Sequence, residues 1–198
     1  MAELPEKVRT FVAIYPSSTV LSHLESAQTR LQSLIAPEAV RWTKPEQIHL
    51  TLQFLGYVKR DLLGLFQSAL EYVSAEIHGF QIRAETIGCF PNNRRPRVVW
   101  AGLAGELESL QTLKRKLDTA FVELDYEPEE RKFHPHFTIG RVADLKTSDA
   151  RRLAKEILKF ESAQFGEWQV REIHLMQSVL SPKGAKYHVL KTFLLKTP

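Results

Sequence analysis

Two stretches of the 198-residue chain carry the same short alternation: "HLTLQFLG" from His49 to Gly56 and "HFTIGR" from His136 to Arg141. In each, a histidine and a threonine stand two positions apart, with apolar residues between and after them. Side chains two apart on a strand leave the same face, so each pair stands about 6.5 Å apart along the chain. Around His49 the odd positions His49, Thr51 and Gln53 are polar, and the even positions Ile48, Leu50, Leu52 and Phe54 are apolar. That alternation predicts a strand with one face on a core and the other open. The second copy predicts the same, with His136, Thr138 and Gly140 on one face and Phe137 and Ile139 on the other. One copy is compatible with an ordinary half-buried strand. Two copies ask for a shared purpose.

The flanks repeat as well. "RTFVAIYP" is apolar on both alternating faces and reads as a buried strand. Ser17 or Ser18 can cap a helix through Val20, Leu24, Ala27, Leu31 and Leu34. After the first motif a helix follows with Leu62, Leu63, Phe66, Ala69, Leu70, Val73 and Ile77 inward. The strands "FQIRAETIGCF" and "RPRVVWAGL" then flank the turn-rich "PNNRRP". In the second half a helix spans about 106–124, the second motif follows, and Ser148 can cap a helix through Phe160. "EWQVREIHLMQSVL" and "AKYHVLKTFLL" close the chain as two strands joined by "SPKG". The order predicts a diverged duplication. The fold class is α+β: one bilobal domain over residues 1–198, two mainly antiparallel sheets facing across a central cleft, helices outside.

Composition narrows the classes. Hydrophobic residues at 43% and charged residues at 25% suit a globular chain. No apolar run reaches the roughly 20 residues a membrane helix needs. The N-terminus has no secretory h-region and reads as unprocessed. Cys89 is the only cysteine, so neither an intrachain disulfide nor a cysteine-rich zinc site can form, which suits a reducing cytoplasm. A net charge of +4 allows an anionic partner without demanding one.

Two such strands brought together line a cleft with two imidazoles and two hydroxyls. One neutral ring can accept a proton while its protonated twin donates one. Threonine hydroxyls can donate to an anionic oxygen. A phosphodiester uses all of these at once: a nucleophile enters, an alkoxide leaves in line, and two non-bridging oxygens carry charge. The sequence holds no obvious carboxylate cluster for a metal.

These paired motifs resemble the two-histidine (2H) phosphoesterase superfamily. Within it the chain is similar to the LigT/ThpR-like RNA 2′,3′-cyclic phosphodiesterases, also called 2′-5′ RNA ligases. "RWTKPEQIHLTLQFLG", "CFPNNRRPRVVWAGL", "FHPHFTIGR" and "SVLSPKGAKYHVL" resemble that family's blocks in the same order. The resemblance implies His49 and His136 as the catalytic pair, Thr51 and Thr138 as phosphate ligands, and Arg141 beside the nucleotide. It implies a cytoplasmic enzyme without metal or other cofactor, acting on RNA 3′ ends or nucleoside 2′,3′-cyclic phosphates and leaving a 2′-phosphate. A monomer with no obligate protein partner is expected. His136 is assigned as base and His49 as acid, although the near symmetry of the motifs does not separate them. Run backwards, the site would join a 2′,3′-cyclic phosphate to a 5′-hydroxyl. The pH–rate profile is expected to be bell-shaped with limbs near neutrality.

Other residues carry weaker signals. Phe54 and Trp100 can stack on a base; core packing is the expectation for Trp100, and Phe54 is assigned to substrate binding. Tyr187 is placed at the cleft rim. Arg94, Arg95 and Arg97 can follow an RNA backbone or simply face water. His134 could join His49 and His136 around a metal. His174 lacks the threonine and reads as structural, His23 and His78 as surface, His188 as part of the last hairpin. A non-catalytic nucleotide- or RNA-binding module is the alternative to an enzyme.

Overall fold

The computed structural model describes residues 5–197 except 94, 128, 130–131, 144–145 and 183. β1 (Lys7–Ile14) buries Val8, Thr10, Val12 and Ile14 on one face and Phe11 and Ala13 on the other. α1 (Ser18–Gln32) starts where the Ser17 hydroxyl accepts a hydrogen bond from the Val20 amide, and it buries Val20, Leu24, Ala27, Gln28 and Leu31. β2 (Val40–Trp42) and β3 (Leu50–Lys59) follow, then α2 (Leu63–Glu76), β4 (Phe80–Phe90) and β5 (Val98–Gly105). The second half holds α3 (Leu107–Val122), β6 (His136–Val142), α4 (Thr147–Leu158), β7 (Gln164–Val170), β8 (Glu172–Ser181) and β9 (Gly184–Leu194).

Every strand pairing is antiparallel, in a four-stranded sheet ordered β3-β1-β8-β9 and a five-stranded sheet ordered β2-β6-β5-β4-β7. The duplication is visible in the pairing. β1 lies between its own motif strand β3 and β8 from the second half; β5, from the first half, lies between β4 and the second motif strand β6. Each half therefore completes the sheet of the other, and neither sheet is built from one half alone. The α+β class with two antiparallel sheets and four helices agrees with the sequence expectation.

Local details differ from it. "EWQVREIHLMQSVL" is not one strand: β7 ends at Val170, and after Arg171 the chain enters β8 in the other sheet. Strand propensity is continuous through that segment, so only the two tertiary partners, β4 and β1, mark the break. Ser148 is not a cap; it lies in the first turn of α4, whose N-cap position is Lys146. β2 has three residues and pairs only with β6, too short to leave a periodic signal.

The main core joins helix faces to the inner faces of both sheets, with Phe80, Phe121 and Phe137 fully buried. Burying one such side chain contributes about 1.5–3 kcal/mol. Phe11, Ala13 and Met176, flanked by Tyr15 and Tyr187, form a separate apolar layer. It lies on the opposite face of the four-stranded sheet from Val12 and Ile14. Cys89 is buried, and its thiol is pushed up to about 12 by burial. Among the described residues no helix is long and apolar enough to cross a membrane.

Candidate active site

The two motif strands touch each other directly, although they belong to different sheets. Both also break their regular alternation at the same place. In β3, Ala13 pairs with Thr51 and Val12 with Gln53, so Leu52 is an extra residue. In β6, Trp100 pairs with Thr138 and Val99 with Gly140, so Ile139 is the extra residue. A bulge of this kind puts two successive residues on one side and reverses the alternation beyond it. Leu52 and Gln53 both turn inward, and so do Ile139 and Gly140; all four are buried.

The consequence is functional. Phe54 now shares a face with Thr51, and Arg141 shares a face with Thr138 and His136. The alternation read from sequence put Gln53 and Gly140 on the open face and Phe54 on the core. The bulges correct this: Gln53 is 3% exposed and Phe54 44%. The two motifs are thus His-x-Thr-x-x-Phe and His-x-Thr-x-x-Arg, with Phe54 and Arg141 in equivalent places.

Each bulge is held from outside its strand. The buried Gln28 of α1 donates through Nε2 to the carbonyls of Ile139 (2.7 Å) and Thr43 (2.8 Å). The Ile139 carbonyl also accepts from the Thr43 amide at 3.0 Å. On the other strand the Tyr126 hydroxyl donates to the Phe54 carbonyl. Gly140 is required where it stands: a Cβ there would come within 2.9 Å of Val40 Cγ1 and 3.0 Å of Trp42 Cε3. Gln28→Leu keeps the volume but removes the side-chain donor from the Thr43 carbonyl and one of two donors from the Ile139 carbonyl; an unpaired carbonyl costs about 1–3 kcal/mol. The expected outcome is a lowered Tm together with weaker binding of phosphate-bearing ligands as the bulge relaxes and Arg141 loses its aim. A loss of stability with unchanged ligand affinity would show that Gln28 does not position Arg141.

The histidines are prepared identically. His49 Nδ1–H donates to the Gln47 carbonyl at 2.7 Å, and His136 Nδ1–H donates to the His134 carbonyl at 2.6 Å. A carbonyl can only accept, so each neutral ring carries its proton on Nδ1 and leaves Nε2 as the unprotonated nitrogen. Both anchors lie two residues upstream and are backbone atoms, which no side-chain pattern announces. His49 is enclosed by the rings of Phe11 (4.9 Å), Tyr187 (5.2 Å) and Tyr15 (6.0 Å). His136 meets Phe90 edge-on at 5.0 Å. Phe11 and Tyr15 were not foreseen; they fall at alternate positions of "RTFVAIYP", but apolar residues on both faces hid which one lined the cleft.

Burial first, then the charges of Arg141 and His136, push the His49 ring down to about 4 against the pull of the Gln47 carbonyl. His136 is also lowered, by burial first and then by Arg141 and His134. One guanidinium therefore acts on imidazoles from both sheets. They form one electrostatic cluster.

Trp100 overturns the core expectation. It is paired with Thr138, lies on the cleft face, and covers Gly88, where a Cβ would collide with its ring. Phe90 packs beside it at 5.2 Å. Tyr187, expected at the rim, packs against His49 and Phe11. His174 bonds Thr192 Oγ1 through Nδ1 at 3.0 Å and packs on Tyr15. His23, His78 and His188 are exposed. His134 contributes its carbonyl, and its ring faces Phe90; among the described residues no three His, Cys, Asp or Glu side chains are grouped to hold a metal. Arg94 lies outside the described residues.

The family model described as LigT like phosphoesterase matches residues 14–100 and 103–187, one match per half of the duplication. The chain therefore belongs to the LigT-like phosphoesterase family. It is 33% identical over 189 residues to the RNA 2′,3′-cyclic phosphodiesterase of Methanothermobacter thermautotrophicus, covering 96% of this chain and 100% of that one. The Aquifex aeolicus RNA 2′,3′-cyclic phosphodiesterase is 30% identical, with 95% and 97% covered. Among solved structures, TT0787 of Thermus thermophilus superposes with a TM-score of 0.78 at 29% identity, covering 96% of this chain and 98% of that one. The apo form of Escherichia coli LigT gives 0.73 at 25%, covering 97% and 99%.

Proposed function

We propose that this protein is a metal-independent RNA 2′,3′-cyclic phosphodiesterase. It opens the cyclic end to a 2′-phosphate through His49 and His136, and residues 1–198 act as one monomeric unit in the cytoplasm. The observation that carries the reading is the pair of imidazoles with Nδ1 anchored on the backbone and Nε2 left for proton transfer. The names of the curated relatives support the substrate.

His136 Nε2 takes a proton from water as the water oxygen bonds to phosphorus. The P–O3′ bond breaks, and His49 Nε2–H delivers its proton to O3′. The more open ring serves the water, and the ring enclosed by Phe11, Tyr15 and Tyr187 faces the leaving group. Thr51 and Thr138 donate to the non-bridging oxygens, and Arg141 balances their charge. Phe54 offers its exposed face to the base. With a 5′-hydroxyl in place of water, the same steps form a 2′-5′ linkage.

Turnover of the four nucleoside 2′,3′-cyclic phosphates, in EDTA, with product isomers separated, tests the proposal. A 2′-phosphate is expected. A 3′-phosphate, or activity that disappears on chelation and returns with zinc or manganese, overturns it.

The pH profile follows from the lowered imidazoles. In the free enzyme the reactive form carries one proton on the pair, and both rings titrate below 6.5. kcat/KM should peak in the mildly acidic range rather than at neutrality and fall about tenfold per pH unit on the alkaline side. A bound phosphodiester anion favours the protonated rings, so the alkaline limb of kcat should lie higher than that of kcat/KM. Removing the Arg141 charge (Arg141→Gln) should move both limbs of kcat/KM upward. A profile flat between pH 5 and 9 would mean that at least one ring moves no proton.

A further inference from the structure

The bulge that aims Arg141 also places it in a row of cations. Cross-strand partners project from the same face of a sheet, and Arg141 pairs with Arg41 on β2 and with Val98 on β5. Like charges directly opposite one another destabilise a sheet. Neither guanidinium has an acidic partner among the described residues, and both are exposed. Val98 opens on the other side into a cavity of about 530 Å³ lined by Phe90, Pro91, Arg95, Arg97 and Val98. Phe90 is the ring that touches His136, so the cavity adjoins the reacting centre. Arg95 and Arg97 are exposed and, among the described residues, have no acidic partner either.

A row of unneutralised arginines ending in a partly aromatic cavity suits an anion joined to a sugar or base. The reacting phosphate occupies the ground between the histidines and threonines. On an RNA end the nearest further phosphate within the same molecule is the one on the 5′ side of the terminal nucleoside. Resting on the phosphodiesterase reading above, we propose that Arg41, Arg97 and this cavity form a second phosphate subsite beside Arg141. Arg41 and Arg97 hold the 5′-phosphate of the terminal nucleoside, and the cavity receives the preceding nucleoside. The enzyme then selects oligonucleotide ends over free nucleoside 2′,3′-cyclic phosphates, which lack that phosphate.

The test compares kcat/KM on three substrates: a nucleoside 2′,3′-cyclic phosphate, the same compound bearing a 5′-phosphate, and a trinucleotide ending in the cyclic phosphate. The wild type should prefer the second over the first by on the order of tenfold, the worth of charge-assisted bonds, and the trinucleotide further still. Arg41→Gln and Arg97→Gln, both at exposed positions, should erase most of that advantage and leave the first substrate within about twofold. The salt dependence on the trinucleotide should weaken by about 0.7 in log–log slope per contact removed. Equal kcat/KM for all three substrates in the wild type overturns the proposal. So does an Arg41→Gln variant that loses the nucleoside substrate as severely as the trinucleotide, because its guanidinium would then belong to the reacting phosphate. Affinity is read in parallel with a trinucleotide and a nucleoside each ending in a 2′-phosphate. That arm needs no turnover: a length preference lost in Arg41→Gln upholds the subsite even if hydrolysis fails, and equal affinity for the two overturns it.

Discussion

His49→Ala and His136→Ala are each expected to lower kcat by about 10²–10⁴, the usual worth of a positioned acid or base. In the proposed mechanism the two rings act in one displacement, in which proton removal from water and proton delivery to O3′ accompany a single exchange at phosphorus. Once either is gone the other has little left to contribute. The double variant should therefore be far less than multiplicatively worse than the singles. Each substitution also removes a half-buried ring, and at His49 it opens a gap among Phe11, Tyr15 and Tyr187. Folding must therefore be checked by thermal unfolding before single-turnover rates are compared. Binding of a 2′-nucleotide should weaken far less than turnover, since Arg141 and the threonines remain. If both variants cleave near the wild-type rate, the paired motifs are a binding cleft and the enzymatic proposal is wrong.

Thr51→Val and Thr138→Val should each cost on the order of 10²-fold in kcat, as for removal of one oxyanion donor. Valine keeps the β-branched shape that a strand favours, so the ladder with Ala13 or Trp100 should survive. In the proposed mechanism the hydroxyls meet an oxygen whose charge grows toward the transition state, so the loss should fall on kcat more than on KM. Thr51→Ser, which keeps the hydroxyl, should recover most of the rate. A defect confined to KM, or a serine variant as poor as the valine, would remove the threonines from the reaction.

The elements and the site differ in how they could be read. α1 and its Ser17 cap, the inward face of α2 from Leu63 onward, the helix before the second motif and the motif strands follow from local periodicity, and the structure keeps them; Leu62, expected inward, precedes α2 and is exposed. The break at Arg171 was not legible, because "EWQVREIHLMQSVL" favours strand throughout and only its partners in two sheets divide it. The bulges were equally hidden. Leu52 and Ile139 sit in unbroken alternation, and nothing local says which residue will be left unpaired. The anchors on His49 and His136 are carbonyls, common to every residue type.

By itself, then, the sequence determined the residue chemistry: two imidazoles and two hydroxyls on two strands, repeated within matching surroundings. Those are covalent identities set at a spacing of two, and a strand turns that spacing into a shared face whatever the rest of the chain does. The tertiary structure decided which residues join them. Register against β1 and β5 expels Leu52 and Ile139 from the ladders, turns Phe54 and Arg141 into the cleft, and buries Gln53. Contact between β3 and β6 brings Arg141 close enough for its charge to act on both rings. Pairing energy and burial are summed over distant segments, and no short window of sequence contains that sum.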